Sequence, residues 1–269
     1  TYVLAAFHTA FNVCNVLILI WFVKPIERIV SQAIPQKAED EEGKLKFISS
    51  GLLSTAELSL FEARKEINLF AERSKRMFGF VPQLLKITDE NEFNKLYSRI
   101  EKYEGISDNM EIEIANYLNK VSEGRLSPES KNTIRSMLRE ISELESICDS
   151  CYNLARTIDR KHKGKEDFTE EQYKHINQMF ELCEKALAQM IKELNGQVPE
   201  AETVKSLNIE HEINNYRTQL KEININDIND QKYDYQMGVN YMDIIGDCEK
   251  LGDYVINVVE AHSHKKLTV

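Results

Sequence analysis

Residues 241–260 read YMDIIGDCEKLGDYVINVVE. Tyr241, Ile244, Ile245, Cys248, Leu251, Val255 and Val259 recur at intervals of three and four, the signature of one helix face rather than the alternation of a strand. The same stretch carries Asp243, Asp247, Glu249 and Asp253 before Glu260. At 100° per residue, Glu249 and Asp253 lie beside one another, roughly 100–140° from the centre of the apolar stripe. Like charges four apart cost a few tenths of a kcal/mol per pair. A polar face that keeps them either meets solvent or lines a groove.

Upstream of this stretch, helix signals succeed one another with little else between them. Ser54 with Glu57 reads as a capping box opening TAELSLFEARKEINLFAERSKRMF, and Asp89 with Glu92 opens a second helix that stops near Gly124. Ser127-Pro128 starts a third, with proline at its favoured first position, running through IRSMLREISELESICDSCYNLARTI and breaking at DRKHKGKED. Thr169 with Gln172 caps a fourth through about Leu194, Pro199 opens a fifth, and the sixth covers about Tyr235–His262. Scarce glycine (10) and proline (5) in 269 residues agree with an all-helical chain.

The six helices form two ordered groups. LESICDSCYNLARTI lies over CEKLGDYVINVVEA at an offset of 104, which pairs Glu143 with Asp247, Glu145 with Glu249, Asp149 with Asp253 and Leu154 with Val258. YEGISDNMEIEI lies over IEHEINNYRTQL at an offset of 106, pairing Glu104 with Glu210 and Asp108 with Asn214. The spacing Glu-x-x-x-Asp therefore occurs at Glu104/Asp108, Glu145/Asp149 and Glu249/Asp253, with Glu210/Asn214 as a variant. With 44 acids in the chain, about seven acid–acid pairs at this spacing arise by chance. Chance does not put them at matching places in two groups. Converging carboxylates raise one another's pKa unless a cation neutralises them, and all-oxygen ligation suits Mg, Ca, Mn or oxidised iron. The competing reading is a solvated acidic face balanced by nearby Lys and Arg.

The formal charge of −10 excludes a nucleic-acid surface, and five cysteines do not form a disulfide framework. One stretch departs from the polar average: residues 3–23, VLAAFHTAFNVCNVLILIWFV, contain no Asp, Glu, Lys or Arg. Roughly 20 such residues cross a ~30 Å hydrocarbon layer, so a membrane span is expected here. With no basic start and no small-residue cleavage site, it does not read as a signal peptide. His8, Thr9, Asn12 and Asn15 interrupt its first half; they serve interhelical hydrogen bonds or, for His8, Asn12 and Asn15, edge a transport path. Lys24 and Arg28 beyond Trp21 place the remainder of the chain in the cytoplasm. A chain opening on Thr1 is expected to be the C-terminal part of a longer protein. After Pro35, QKAEDEEGKLKFISSG reads as a linker.

CEKLGDYVINVVE resembles the repeat signature of PhoU proteins, and LESICDSCYNLA is a looser instance. AELSLFEARKEINLFAERSKRMF is similar to that family's first helix, so the resemblance spans about residues 54–261. It implies an all-α fold of two three-helix repeats whose acidic motifs hold multinuclear metal clusters. Carried over by position, the ligands would be Glu104, Asp108, Glu145, Asp149, Glu210, Glu249 and Asp253, with Fe, Mn, Mg or Zn as candidate ions. Asn214 departs from the acidic pattern, and Cys148 stands where the second group has Gly252. AAFHTAFNVCNVLILI is similar to the last membrane helix of bacterial sodium/phosphate cotransporters, some of which end in PhoU-like domains. Together these resemblances imply a final transmembrane helix and juxtamembrane extension (1–34), a linker (35–53), and PhoU-like repeats at 54–160 and 161–264. The implied protein sits in the inner (plasma) membrane with a cytoplasmic C-terminal domain. Its implied partners are sodium, inorganic phosphate and upstream transmembrane helices of the same chain, with homo-oligomerisation left open.

Two other classes compete. A membrane-tethered helical signalling or scaffold domain without transport fits the same pattern, and a metal-dependent hydrolase has only the carboxylates in its favour. The sequence lacks a Gly-rich phosphate loop, a nucleophile elbow, a metalloprotease His pair and any Glu-x-x-His. Cys148 and Cys151 lie inside a helix with no strand before them, and Cys183 and Cys248 are single, so neither redox chemistry nor a zinc–thiolate site is expected. His211 reads as a surface residue. No catalytic residue is expected.

Overall fold

A computed structural model describes residues 4, 7–9, 11–12, 45–48, 55–164, 167–197 and 204–263. Six long helices account for nearly all of them: α1 (Ala56–Leu84), α2 (Glu90–Ser122), α3 (Pro128–His162), α4 (Glu170–Leu194), α5 (Val204–Asn229) and α6 (Tyr235–Ser263). No strand occurs among the described residues.

Most of the expected helix starts are real caps. Asp89 accepts from the Glu92 amide at 2.9 Å, and Ser127 accepts from Ser130 at 3.1 Å with Pro128 next in line. Thr169 and Gln172 exchange both bonds of a capping box. Each such cap satisfies an otherwise orphaned amide and contributes about 1 kcal/mol. At α1 the cap lies one residue later than expected: Thr55, not Ser54, accepts from Leu58. α3 runs four residues past the expected break, through Asp159–His162. No breaker intervenes before Gly164, and Arg160, Lys161 and His162 suit the carbonyl end of the helix. His162 also stacks on Phe93 at 4.0 Å and reaches Glu90 at 3.0 Å, docking the end of α3 on the start of α2. Gly196 closes α4 at φ +65, a left-handed position that costs glycine nothing.

α1, α2 and α3 pack on one another, as do α4, α5 and α6; the two trios meet chiefly through α3 on α6 and also through α1 on α4. α3 and α6 run antiparallel. Arg139 approaches Glu260, Glu143 accepts from Asn257 at 3.0 Å, and Arg160 pairs with Asp243 at 2.6 Å, so numbers rise on one helix as they fall on the other. The apolar stripe of α6 is the core of this seam: Tyr241, Ile244, Ile245, Cys248, Leu251, Val255 and Val259 are all buried. Opposite them, Leu144, Ile147, Cys151, Leu154 and Ile158 of α3 are equally enclosed. Burial of side chains this size contributes about 1.5–3 kcal/mol each against conformational entropy.

Two buried carboxylates tie distant parts together. Glu140 of α3 is gripped by both terminal guanidinium nitrogens, Nη1 and Nη2, of Arg64 from α1, and His262 of α6 stands 3.6 Å away. Glu66 of α1 accepts the backbone amides of Lys46 and Phe47 at 2.9 and 2.7 Å, strapping residues 45–48 to the bundle.

Residues 1–42 and 43–269 form separate compact units. The expected membrane span at 3–23 lies outside the described residues except for positions 4, 7–9, 11 and 12, which are helical and exposed. Among the described residues, no helix is long and apolar enough to cross a membrane. Asn15 and most of the 35–53 linker also lie outside them, as does Pro199.

Candidate metal centre

α2 presents Glu104, Asp108 and Glu111 at successive turns, while Ile106, Met110, Ile114 and Leu118 turn into the core. α3 presents Glu145 and Asp149 between the buried Leu144, Ile147 and Cys148. Because α2 packs on α3, the acids of the two helices converge.

Their electrostatics show how closely. Burial pushes the Glu145 carboxyl up to about 7, with Asp149, Glu111 and Asp108 adding to the rise. Burial likewise raises Glu104, helped by Asp108, Asp149 and Glu101. Asp149 is raised by burial and then by Asp108. Glu104, Glu145 and Asp149 each feel an acid of the other helix across the α2–α3 groove. A cation would relieve this repulsion.

The second trio repeats the arrangement with different residues. α5 carries Glu210, Asn214 and Arg217, and α6 carries Glu249 and Asp253. Asn214 donates from Nδ2 to Glu210 at 2.6 Å. Burial, Glu249 and Glu210 push Asp253 up to about 6, while Arg217 pulls it down. His211 is exposed, as expected, yet it lies 3.5 Å from the Glu210 carboxylate.

Behind each acidic face the helices touch through small residues. A Cβ on Gly252 would meet Ile213 of α5 at 3.0 Å, so glycine sets the α5–α6 approach. The matching Cys148 donates to Ser74 at 3.3 Å. Burial pushes the Cys148 thiol up to about 12. Cys151 and Cys248 are raised well above the ordinary thiol range, first by burial. These sulfurs are packing groups that hold their protons.

The donors are oxygen atoms, half-buried except for the exposed Asp149, which suits a hard cation. Among the described residues, no group of three or more His, Cys, Asp or Glu is already arranged to hold one. Carboxylates without a counter-ion swing apart, so closing a coordination shell requires side-chain rotation within the groove. Two residues of this constellation, Glu111 and Arg217, are not expected from the acidic spacing. A signal for them was present: the 106-residue offset that pairs Glu104 with Glu210 also pairs these two. Elsewhere, a cleft of about 510 Å³ between α3 and α6 is lined by Tyr97, Asn153, Arg160, Asp243 and Lys250 among others. Its Arg160 and Lys250 are matched by Asp243 and Asp247.

The PhoU-domain family model matches residues 176–261. In three dimensions the chain is similar to the phosphate transport system regulatory protein PhoU from Streptococcus pneumoniae, with a TM-score of 0.66 at 18% identity over 78% of this chain and 96% of that one. It is also similar to PhoU from Pseudomonas aeruginosa, with a TM-score of 0.63 at 13% identity over 78% and 98% of the respective chains. No curated protein sequence matches the chain. At these identities the likeness establishes the fold: an all-helical PhoU-type bundle.

Proposed function

We propose that the bundle regulates phosphate uptake as the cytoplasmic end of a sodium-dependent phosphate cotransporter in the inner membrane. The observation that carries this reading is the convergence of carboxylates on α2 and α3 within a fold shared with a phosphate transport regulator. The uncharged stretch 3–23 supplies the membrane tether in this reading, and the bundle carries no enzymatic step of its own. Sodium and phosphate cross through transmembrane helices upstream of Thr1.

Glu104, Asp108, Glu145 and Asp149 would hold a hard divalent or trivalent cation, with Glu111 at the edge of the groove. Bound there, the ion supplies positive charge that lets an acidic surface accept a phosphate oxygen. The residues themselves gather the charge, keep it half-dry between α2 and α3, and exchange protons for metal as Glu145 ionises. Occupancy then biases the membrane portion through residues 45–48, whose amides Glu66 holds against α1.

The test is sodium-driven uptake of labelled phosphate in cells lacking other phosphate carriers. Cells carrying the whole gene should accumulate phosphate, and Glu145→Gln with Asp149→Asn should change the set-point without abolishing transport. Absence of sodium-dependent uptake would discard the transporter reading, leaving a tethered helical regulator.

A further inference from the structure

Leu45, Lys46, Phe47 and Ile48 meet the bundle as a short strap outside any helix. Leu45 and Ile48 are half-buried against the core, while Lys46 and Phe47 are exposed. One side chain holds the strap. Glu66 lies on the inward face of α1 with Ala63, Ile67 and Phe70, all fully buried. Its Oε2 accepts the backbone amides of both Lys46, at 2.9 Å, and Phe47, at 2.7 Å. Its Oε1 is enclosed and has no hydrogen-bond partner among the described residues. Glu140, equally buried, has Arg64 as its counter-charge; Glu66 has only the two strap amides among the described residues. We infer that residues 45–48 are a latch, closed by Glu66, that opens while the six-helix bundle stays folded.

Two opposed terms set the balance of this latch. Two charge-assisted bonds to a single oxygen favour closure. Enclosing a carboxylate with one oxygen unpaired opposes it, because opening returns that charge to water. The closed strap is therefore held by a small difference, at the low-stability end of the molecule where local opening precedes global unfolding. The bundle beneath is anchored independently: Ile67, Phe70, Met77 and Phe78 of α1 are enclosed in the core, and Arg64 grips Glu140. On the outer side of the strap, Lys65 Nζ stands 5.5 Å from the Phe47 ring centre and 4.4 Å from that of Phe61. Both rings are exposed, so this contact adds little. The strap begins just past the end of the 1–42 unit. Opening lengthens the chain that joins this unit to the bundle by the strap's own residues, about 13 Å when extended.

The latch rests on the regulatory reading for its use but not for its existence, and amide exchange tests it without any transport measurement. In the full chain, held in detergent micelles, hydrogen–deuterium exchange is followed at the amides of Lys46 and Phe47 and at those of Phe70 and Met77 in α1. The strap amides should be protected, yet about tenfold or more less so than the two α1 amides. Glu66→Leu keeps the buried position filled with an apolar side chain. It should cut protection at both strap amides by about tenfold or more, leaving Phe70 and Met77 within about threefold. Phe47→Ala changes only an exposed position and serves as the test if Glu66→Leu does not fold; it should cut strap protection by roughly twofold to fivefold. Strap amides that exchange in step with Phe70 and Met77, or that keep their protection in either variant, overturn the latch. An equal fall at all four amides would make Glu66 a residue of global stability and overturns it as well.

Discussion

Gly252 of α6 presents a bare Cα to Ile213 of α5, so close that a Cβ there would stand 3.0 Å from the isoleucine Cδ1. Both residues are buried. Gly252→Val therefore overfills the seam and should lower unfolding free energy by about 1–3 kcal/mol. Ile213→Ala leaves a cavity and should also destabilise, by about 2–5 kcal/mol. The double variant should cost less than the sum of the two, because each change makes room for the other. Urea denaturation of the four chains gives the coupling, and strict additivity would show that the contact does not set the helix spacing.

The Arg64–Glu140 pair sets an acid limit on stability. Burial alone would push the Glu140 carboxyl up, but His262 and the two-pronged Arg64 guanidinium hold it below its ordinary value of 4.5. A depressed folded-state pKa contributes stability that is complete above the unfolded value and drains away as pH falls through the folded one. Melting temperature should accordingly fall below about pH 4.5, and Glu140→Gln should flatten that limb. Arg64→Met strands a fully buried carboxylate and should cost about 3–5 kcal/mol at neutral pH. A melting profile whose acid limb is the same in Glu140→Gln would assign the acid sensitivity to other groups.

Gly196 tests backbone conformation without packing. Its φ is +65, and a Cβ there meets nothing within 4 Å. Gly196→Ala should destabilise by about 1 kcal/mol purely through the left-handed backbone penalty. Gly105, in mid-helix with equally open space, should respond in the opposite direction, since alanine gains about 1 kcal/mol of helix propensity there. Thermal melts of the two variants should move apart.

Cys148, Cys151, Cys183 and Cys248 are buried and free. A thiol enclosed in apolar packing is out of reach of reagents and a poor nucleophile. Peptide-level mass spectrometry after iodoacetamide at pH 8 should show these four unmodified in the native chain and modified in urea. Rapid native labelling at any of them would reveal an opening of the α3–α6 seam.

How much of this was legible in the sequence depends on the kind of signal. Caps at Asp89, Ser127 and Thr169 are local chemistry and sit where the residues say. The end of α3 was misplaced because it is settled by contacts from α2: Phe93 beneath the His162 ring and Glu90 beside it. The buried stripe of α6 follows from its periodicity alone. Glu145 and Asp149 could be named from spacing and repetition, but their convergence with Glu104 and Asp108 depends on how α2 packs on α3. Arg217 was missed for a different reason. A cation inside an acidic motif means something only once its neighbours in space are known.

Anomalous X-ray scattering at the manganese edge, from crystals of the full chain grown with Mn²⁺, locates the ion itself. The expected result is a peak between α2 and α3, within coordination distance of Glu104, Asp108, Glu145 and Asp149. Crystals that diffract well yet show no peak in the α2–α3 groove would contradict the metal centre itself.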